Sequence, residues 1–185
     1  MRNAEASRAK ILEAATDEFA TWGIAGARIE RIARTAGFNK NLIYIYFENK
    51  ETLFKTVLET HLTTAYDRLP FRPDDLAGYA SDVFDFAQSN PRIMKLMAWY
   101  SLEQQATGIG GRNASFASKI AALHQAQAAG KVSEAFPPAF LLTTIMSLST
   151  AWSAASPFGA FCDDVPADDI RDMLQRMIEK MLLPE

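Results

Sequence analysis

Apolar side chains recur three and four residues apart through nearly all of this chain, the period of an α-helix with one buried face. Only the run Leu42-Ile43-Tyr44-Ile45-Tyr46-Phe47 has the β-branched and aromatic composition of a strand. It has no partner run nearby and lies between segments of helical period, so packing against those segments is expected to override its propensity. The pattern predicts an all-α chain of about nine helices with no strand.

Glycines, prolines and capping residues divide that pattern. Residues 4–22 place Ile11, Leu12, Ala15, Phe19 and Trp22 on one face, with Gly23 as the stop. Residues 29–36 bury Ile29, Ile32 and Ala33, and Gly37 can take the positive φ that ends a helix. Asn39 caps a helix starting at Lys40; Asn49 caps a longer one over residues 50–69, with Leu53, Phe54, Val57, Leu58, His61, Leu62 and Ala65 on its apolar face. Pro70 ends that helix, and Pro70 with Pro73 marks the boundary between an N-terminal unit and a second domain over residues 70–185. There the pattern predicts helices over 74–88, 92–103 and 113–129, the last preceded by a glycine-rich break at Gly108, Gly110 and Gly111. An uncharged helix follows from Pro138 to about Ala155, and a final one takes Pro166 as its first residue, ahead of Asp168 and Asp169.

Composition narrows the function. With 185 residues, 49% apolar and 22% charged, the chain has the make-up of a globular protein with its own core. The single Cys162 excludes an intramolecular disulfide, and with only His61 and His124 beside it no zinc cluster is expected. No Gly-rich phosphate loop, nucleophile elbow or paired metal-ligand motif is present, so an enzyme is not expected, nor any metal or cofactor. The first fifteen residues lack the apolar core of a signal peptide, and a cytoplasmic location is expected. Residues 135–162 carry no charge, yet seven Ser and Thr residues and three prolines interrupt them and no basic flank anchors them. A buried or interface helix is the expectation there, and no membrane span.

The net charge is −3, with residues 1–70 at +1 and residues 71–185 at −4. The positive charge concentrates between Arg28 and Lys50, where Arg28, Arg31, Arg34, Lys40 and Lys50 face only Glu30 and Glu48. An island of that kind can hold a polyanion even on an acidic protein. Within it, Ala33 and Ala36 are small enough for two helices to cross closely, Gly37 supplies a tight turn, and Phe38 fills the angle. This is helix-turn-helix geometry. Its second helix would enter a major groove with Asn39, Lys40 and Asn41 leading, and with Tyr44 one turn later able to donate to a phosphate. Lys50 adds its charge at the N-terminus of the next helix.

The run IARTAGFNKNLIYIYFENKETL, Ile32 to Leu53, resembles the N-terminal signature of the TetR family of bacterial transcriptional regulators, which is close to I-A-x-x-A-G-V-S-x-G-x-L-Y-x-Y-F-x-N-K-x-x-L. Phe19 and Gly23 extend the likeness back through the first helix. The resemblance implies a homodimeric regulator, a repressor in the first instance, whose residues 1–50 bind a double-stranded DNA operator and whose residues 70–185 bind a small-molecule effector and dimerise. By position, Lys40, Asn41 and Tyr44 would face DNA, Tyr46 would support or touch the backbone, and Lys50 would contact phosphate. Two departures stand out. Arg28 replaces a frequent phosphate-binding Thr, and Asn41 replaces a frequent Gly, so the operator sequence is not transferable from a relative.

For the second domain the likeness is architectural. An effector pocket would draw on Phe84, Met94, Met97, Trp99, Tyr100, Phe116 and Met146, with His124, Asp85 and Arg92 as polar anchors; the apolar residues read more readily as plain core, His124 as structural, and Asp85 and Arg92 as solvated surface. Dimerisation would use the last two helices, through Leu148 and Trp152 on one and Met173, Met177 and Met181 on the other. The competing reading is a helical ligand-binding or protein-interaction module without sequence-specific DNA binding. Lys40, Tyr44 and Lys50 favour the regulator.

Overall fold

The computed structural model describes residues 2–103, 110–159 and 164–182. Among them are nine helices and no strand: α1 (Arg2–Gly26), α2 (Ile29–Ala36), α3 (Lys40–Phe47), α4 (Lys50–Arg68), α5 (Leu76–Ser89), α6 (Pro91–Glu103), α7 (Gly110–Ala128), α8 (Pro138–Thr150) and α9 (Ala167–Leu182). They form two compact units, one from residues 1–64 and 92–109, the other from residues 65–91 and 110–185.

In the first unit, Ile11, Ala15 and Phe19 of α1, Ile32 and Ala33 of α2, Ile43 and Phe47 of α3, and Leu53, Phe54, Val57 and Leu58 of α4 are all buried. Phe19 and Phe54 meet edge to face with centroids 5.0 Å apart. The strand-like run forms α3 because a helix is the conformation that lets Ile43 and Phe47, four residues apart, both enter this core. A strand would have put Ile45 on their face; it is instead 75% exposed.

Several boundaries differ from the sequence expectation. Gly23 takes φ 65° and ψ −175°, but helical backbone resumes beyond it, so α1 kinks there and runs on to Gly26. Trp22, expected in the core, is 53% exposed beneath the Arg31 guanidinium, 5.1 Å from its ring centroid. The glycines expected to form a break include Gly110 and Gly111, which open α7; Gly108 lies outside the described residues, as does Cys162. The uncharged helix ends at Thr150 rather than near Ala155, in turns where Ser153 N–H donates to the Thr150 carbonyl (3.0 Å) and Ser156 N–H to the Ser153 carbonyl (2.9 Å). Pro166 lies just before α9, and its carbonyl accepts the Ile170 N–H at 3.1 Å.

The second unit is built on α5, which packs against both α8 and α9. Tyr79, Ala80, Val83 and Phe84 of α5 are buried with Leu123 of α7, Leu141, Leu142 and Ile145 of α8, and Ile170, Leu174 and Ile178 of α9. Asp75 caps α5 by accepting the Gly78 N–H at 2.8 Å. Among the described residues no helix is long and apolar enough to cross a membrane.

Candidate nucleic-acid interface

The turn between α2 and α3 is fixed by one backbone conformation. Gly37 sits at φ 76°, ψ 29°, in the left-handed region, which lets Phe38 N–H donate to the Ala33 carbonyl (2.9 Å) and Gly37 N–H to the Arg34 carbonyl (3.3 Å). Two residues later Asn39 turns the chain back into a helix, its side-chain oxygen accepting the Leu42 N–H at 2.9 Å. The Asn39 carboxamide oxygen thus serves the cap, and its NH2 group is left to face a ligand. Asn49 repeats the device for α4, accepting from Thr52 N–H at 2.7 Å.

Ile43 and Phe47 turn inward, and Lys40, Asn41, Tyr44 and Ile45 are exposed on the rest of α3. Tyr44 is 44% exposed; Tyr46 is half-buried, its ring 6.1 Å from that of Phe47. Ile45 has the greatest exposure among the large apolar residues described. An isoleucine inside an apolar run reads as core, so the sequence pattern does not single it out.

The five basic residues of the island have different local roles. Arg31 locks α2 to α1, donating through Nε to Glu18 (2.7 Å) and through Nη2 to the Gly26 carbonyl (2.8 Å). Glu18 also accepts the Arg28 backbone N–H at 2.8 Å, leaving the Arg28 guanidinium on the surface where α2 begins. Lys50, half-buried at the first residue of α4, donates to the Ala27 carbonyl at 3.3 Å. Arg34 is exposed, and Lys40 lies 3.6 Å from Glu30 in an exposed pair, a contact worth little against a phosphate partner. Arg8 of α1, not singled out by the sequence pattern, stacks over Phe47 at 5.3 Å and places another cation beside the C-terminal end of α3.

Comparison with known proteins assigns this arrangement. Residues 11–57 match the profile of bacterial regulatory proteins, tetR family, and residues 75–180 match that of the tetracyclin repressor-like C-terminal domain. The HTH-type transcriptional repressor SCO4008 of Streptomyces coelicolor is 33% identical over 98% of this chain and 97% of its own length. The chain belongs to the TetR family of bacterial regulatory proteins. A solved putative transcriptional regulator, SCO4942 of Streptomyces coelicolor, superposes with a TM-score of 0.86 at 33% identity, covering 95% of this chain and 98% of that one. The repressor NicS of Pseudomonas putida is 31% identical over 56% of this chain and 52% of its own. This TetR-family chain is therefore a helix-turn-helix transcriptional regulator.

The residues considered for effector binding are spread over both units of this TetR-family fold. Met94, Met97 and Trp99 of α6 are half-buried and Tyr100 is buried in the first unit; Phe84 is buried and Met146 half-buried in the second. Phe116 is 39% exposed and His124 is exposed on α7. Asp85 accepts from Arg171 Nε at 2.9 Å, and Arg92 donates to Glu13 (2.8 Å) and Asp17 (2.6 Å) of α1. The described part of the second unit also holds a half-open groove of about 330 Å³ that the sequence did not suggest, lined by Leu69, Phe71, Pro73, Ser115, Ser118, Lys119 and Ala122. Lys119 donates to the Tyr79 hydroxyl at 2.7 Å and lies 5.1 Å and 5.8 Å from the Tyr79 and Phe71 ring centroids. Burial lowers its pKa. The Tyr79 hydroxyl in turn donates to Met146 Sδ at 3.7 Å. Of the residues considered for dimerisation, Leu148, Trp152 and Met181 pack against the core of the second unit, with Trp152 6.2 Å from Phe84, while Met173 and Met177 are 48% and 43% exposed.

Proposed function

We propose that the protein is a cytoplasmic, homodimeric repressor that binds a pseudo-palindromic operator and leaves it when a small molecule binds the C-terminal domain. The observation that carries this reading is the outer face of α3. A glycine turn and an asparagine cap set a short helix so that Lys40, Asn41 and Tyr44 stand exposed, with Arg28 at the start of α2 and Lys50 at the start of α4 as the phosphate contacts. Two such helices in one dimer enter successive major grooves about 34–36 Å apart. The DNA-binding part spans residues 1–50, α4 is the link, and residues 70–185 carry effector and dimer contacts. The half-open groove beside Lys119, of about 330 Å³, lies in that domain and is where we place an effector. For release, the effector must bind the DNA-free form more tightly than the DNA-bound one; a ligand that binds both equally leaves the operator occupied.

The test is a titration of the purified protein against the intergenic DNA upstream of its own gene and against a scrambled duplex of equal length, across a salt series. Tight, selective binding that weakens steeply with salt, with a palindromic footprint, is expected. Tyr44→Ala should weaken operator binding by about tenfold, the loss of a good polar contact of roughly 1.4 kcal/mol, and leave the assembly state unchanged. Equal, weak binding to both duplexes, and no footprint, would reject the reading.

A further inference from the structure

We propose that Ile45 reads sequence by seating its side chain against thymine 5-methyl groups in the operator. This inference rests on the DNA-binding reading above and adds to it the chemistry of one contact. Ile45 is 75% exposed, more than any other large apolar residue among those described. Its place on α3 is as telling as its exposure. At about 100° per residue, Ile43 and Phe47 lie within 40° of each other on the buried side, and Ile45 lies opposite the midpoint between them. It therefore projects furthest from the core, at the centre of the face that Asn41 and Leu42 flank.

A β-branched side chain is a poor choice for the exposed centre of a short helix. It is below average in helix propensity, and it leaves hydrocarbon in water without packing in return. A polar or charged residue there would help both helix and solubility. The arrangement fits a surface that itself offers hydrocarbon at the point of deepest approach. On the major-groove floor the C5-methyl of thymine is the apolar group, since the other base edges present donors and acceptors. Asn41 beside Ile45 can pair with an adenine edge, so the two side chains together suit an A·T-containing step.

The experiment begins with duplexes selected from a randomised pool by the wild-type protein. Each thymine of the selected half-site is then replaced by deoxyuracil, which keeps every hydrogen bond and removes only the methyl. At one or two positions the wild type should lose about fourfold in affinity per methyl, and about fifteenfold when the substitution is made in both half-sites. Ile45→Val should keep this sensitivity, and Ile45→Ala should bind both duplexes alike; helicity by circular dichroism confirms that both variants fold. Wild-type affinity indifferent to every uracil, or Ile45→Ala as sensitive as wild type, overturns the inference while leaving DNA binding in place. Failure of the wild type to select any sequence rejects the DNA-binding reading, and this inference with it.

Discussion

At the scale of single residues, Gly37 carries the most consequence for its size. A Cβ built there meets nothing within 4 Å, so the site has room for a side chain. What it lacks is tolerance for one at φ 76°. An alanine in the left-handed region costs about 1–2 kcal/mol, partly offset by the reduced entropy of the unfolded chain, so Gly37→Ala should destabilise by about 1 kcal/mol. In a chain of this size that is a fall of roughly 3 °C in melting temperature. Gly37→Asn, which visits that region more readily, should lose less. Equal melting temperatures for wild type and both variants would show that the turn relaxes into another geometry.

Between elements, α1 and α4 meet at a contact that carries a titratable group, His61. Thr16 of α1 donates to the Leu12 carbonyl at 2.8 Å, so its hydroxyl oxygen is left to accept from His61 Nε2 of α4, 3.0 Å away. Burial lowers the His61 pKa from its ordinary 6.5; Glu13 pulls it back up and Arg92, in its ion pairs with Glu13 and Asp17, pushes it down. The folded chain thus takes up a proton here less readily than the unfolded chain does. The resulting stability is present above pH 6.5 and is lost as pH falls through that value toward the lowered one. His61→Gln keeps a donor for Thr16 and removes the titration. In urea melts from pH 8 to about pH 5, the stability difference between wild type and His61→Gln should shrink as the solution is acidified. A difference constant over that range would remove His61 as the sensor.

The same scale shows where the sequence was legible. Helical period, Gly37 and the two asparagine caps fix α2, α3 and the start of α4 because each acts through local chemistry. Even the strand-like composition of α3 yields to the spacing of Ile43 and Phe47. What local chemistry does not carry is the choice among equivalent outcomes. Gly23 can stop a helix or kink it; here it kinks. Arg31 can meet phosphate or Glu18, and Trp22 can enter the core or lie under Arg31; contacts across the chain decide both. Ile45 and Lys119 are illegible in the sequence for a related reason, since an isoleucine in an apolar run and a lysine on a helix both read as ordinary until their surroundings are known.

For the whole molecule, the operator geometry proposed here requires two copies, and we propose α9 as the surface through which they pair. Ile170, Leu174 and Ile178 are buried in their own unit, while Met173 and Met177 border that stripe and remain 48% and 43% exposed. At about 100° per residue, the apolar arc of α9 is roughly 180° wide, from Met173 to Leu182, and its own unit covers the part centred on Leu174 and leaves the Met173 edge open. Flexible thioethers along the uncovered edge suit a face that packs on its own copy across a two-fold axis. Placing carboxylates there, as Met173→Glu with Met177→Glu, would bring like charges together across such an axis at little cost to the fold, because both positions already face water. Light scattering should show the mass falling from twice to once that of the chain, with helicity unchanged. The monomer would then meet one half-site at a time, so operator affinity should drop sharply and the dependence of binding on salt should fall to about half its slope, as half the phosphate contacts are lost. A double variant that remains dimeric would place the two-fold interface on another face. One that turns monomeric yet binds the full operator as tightly as wild type would mean that a single recognition helix supplies the affinity, and the palindromic operator would lose its reason.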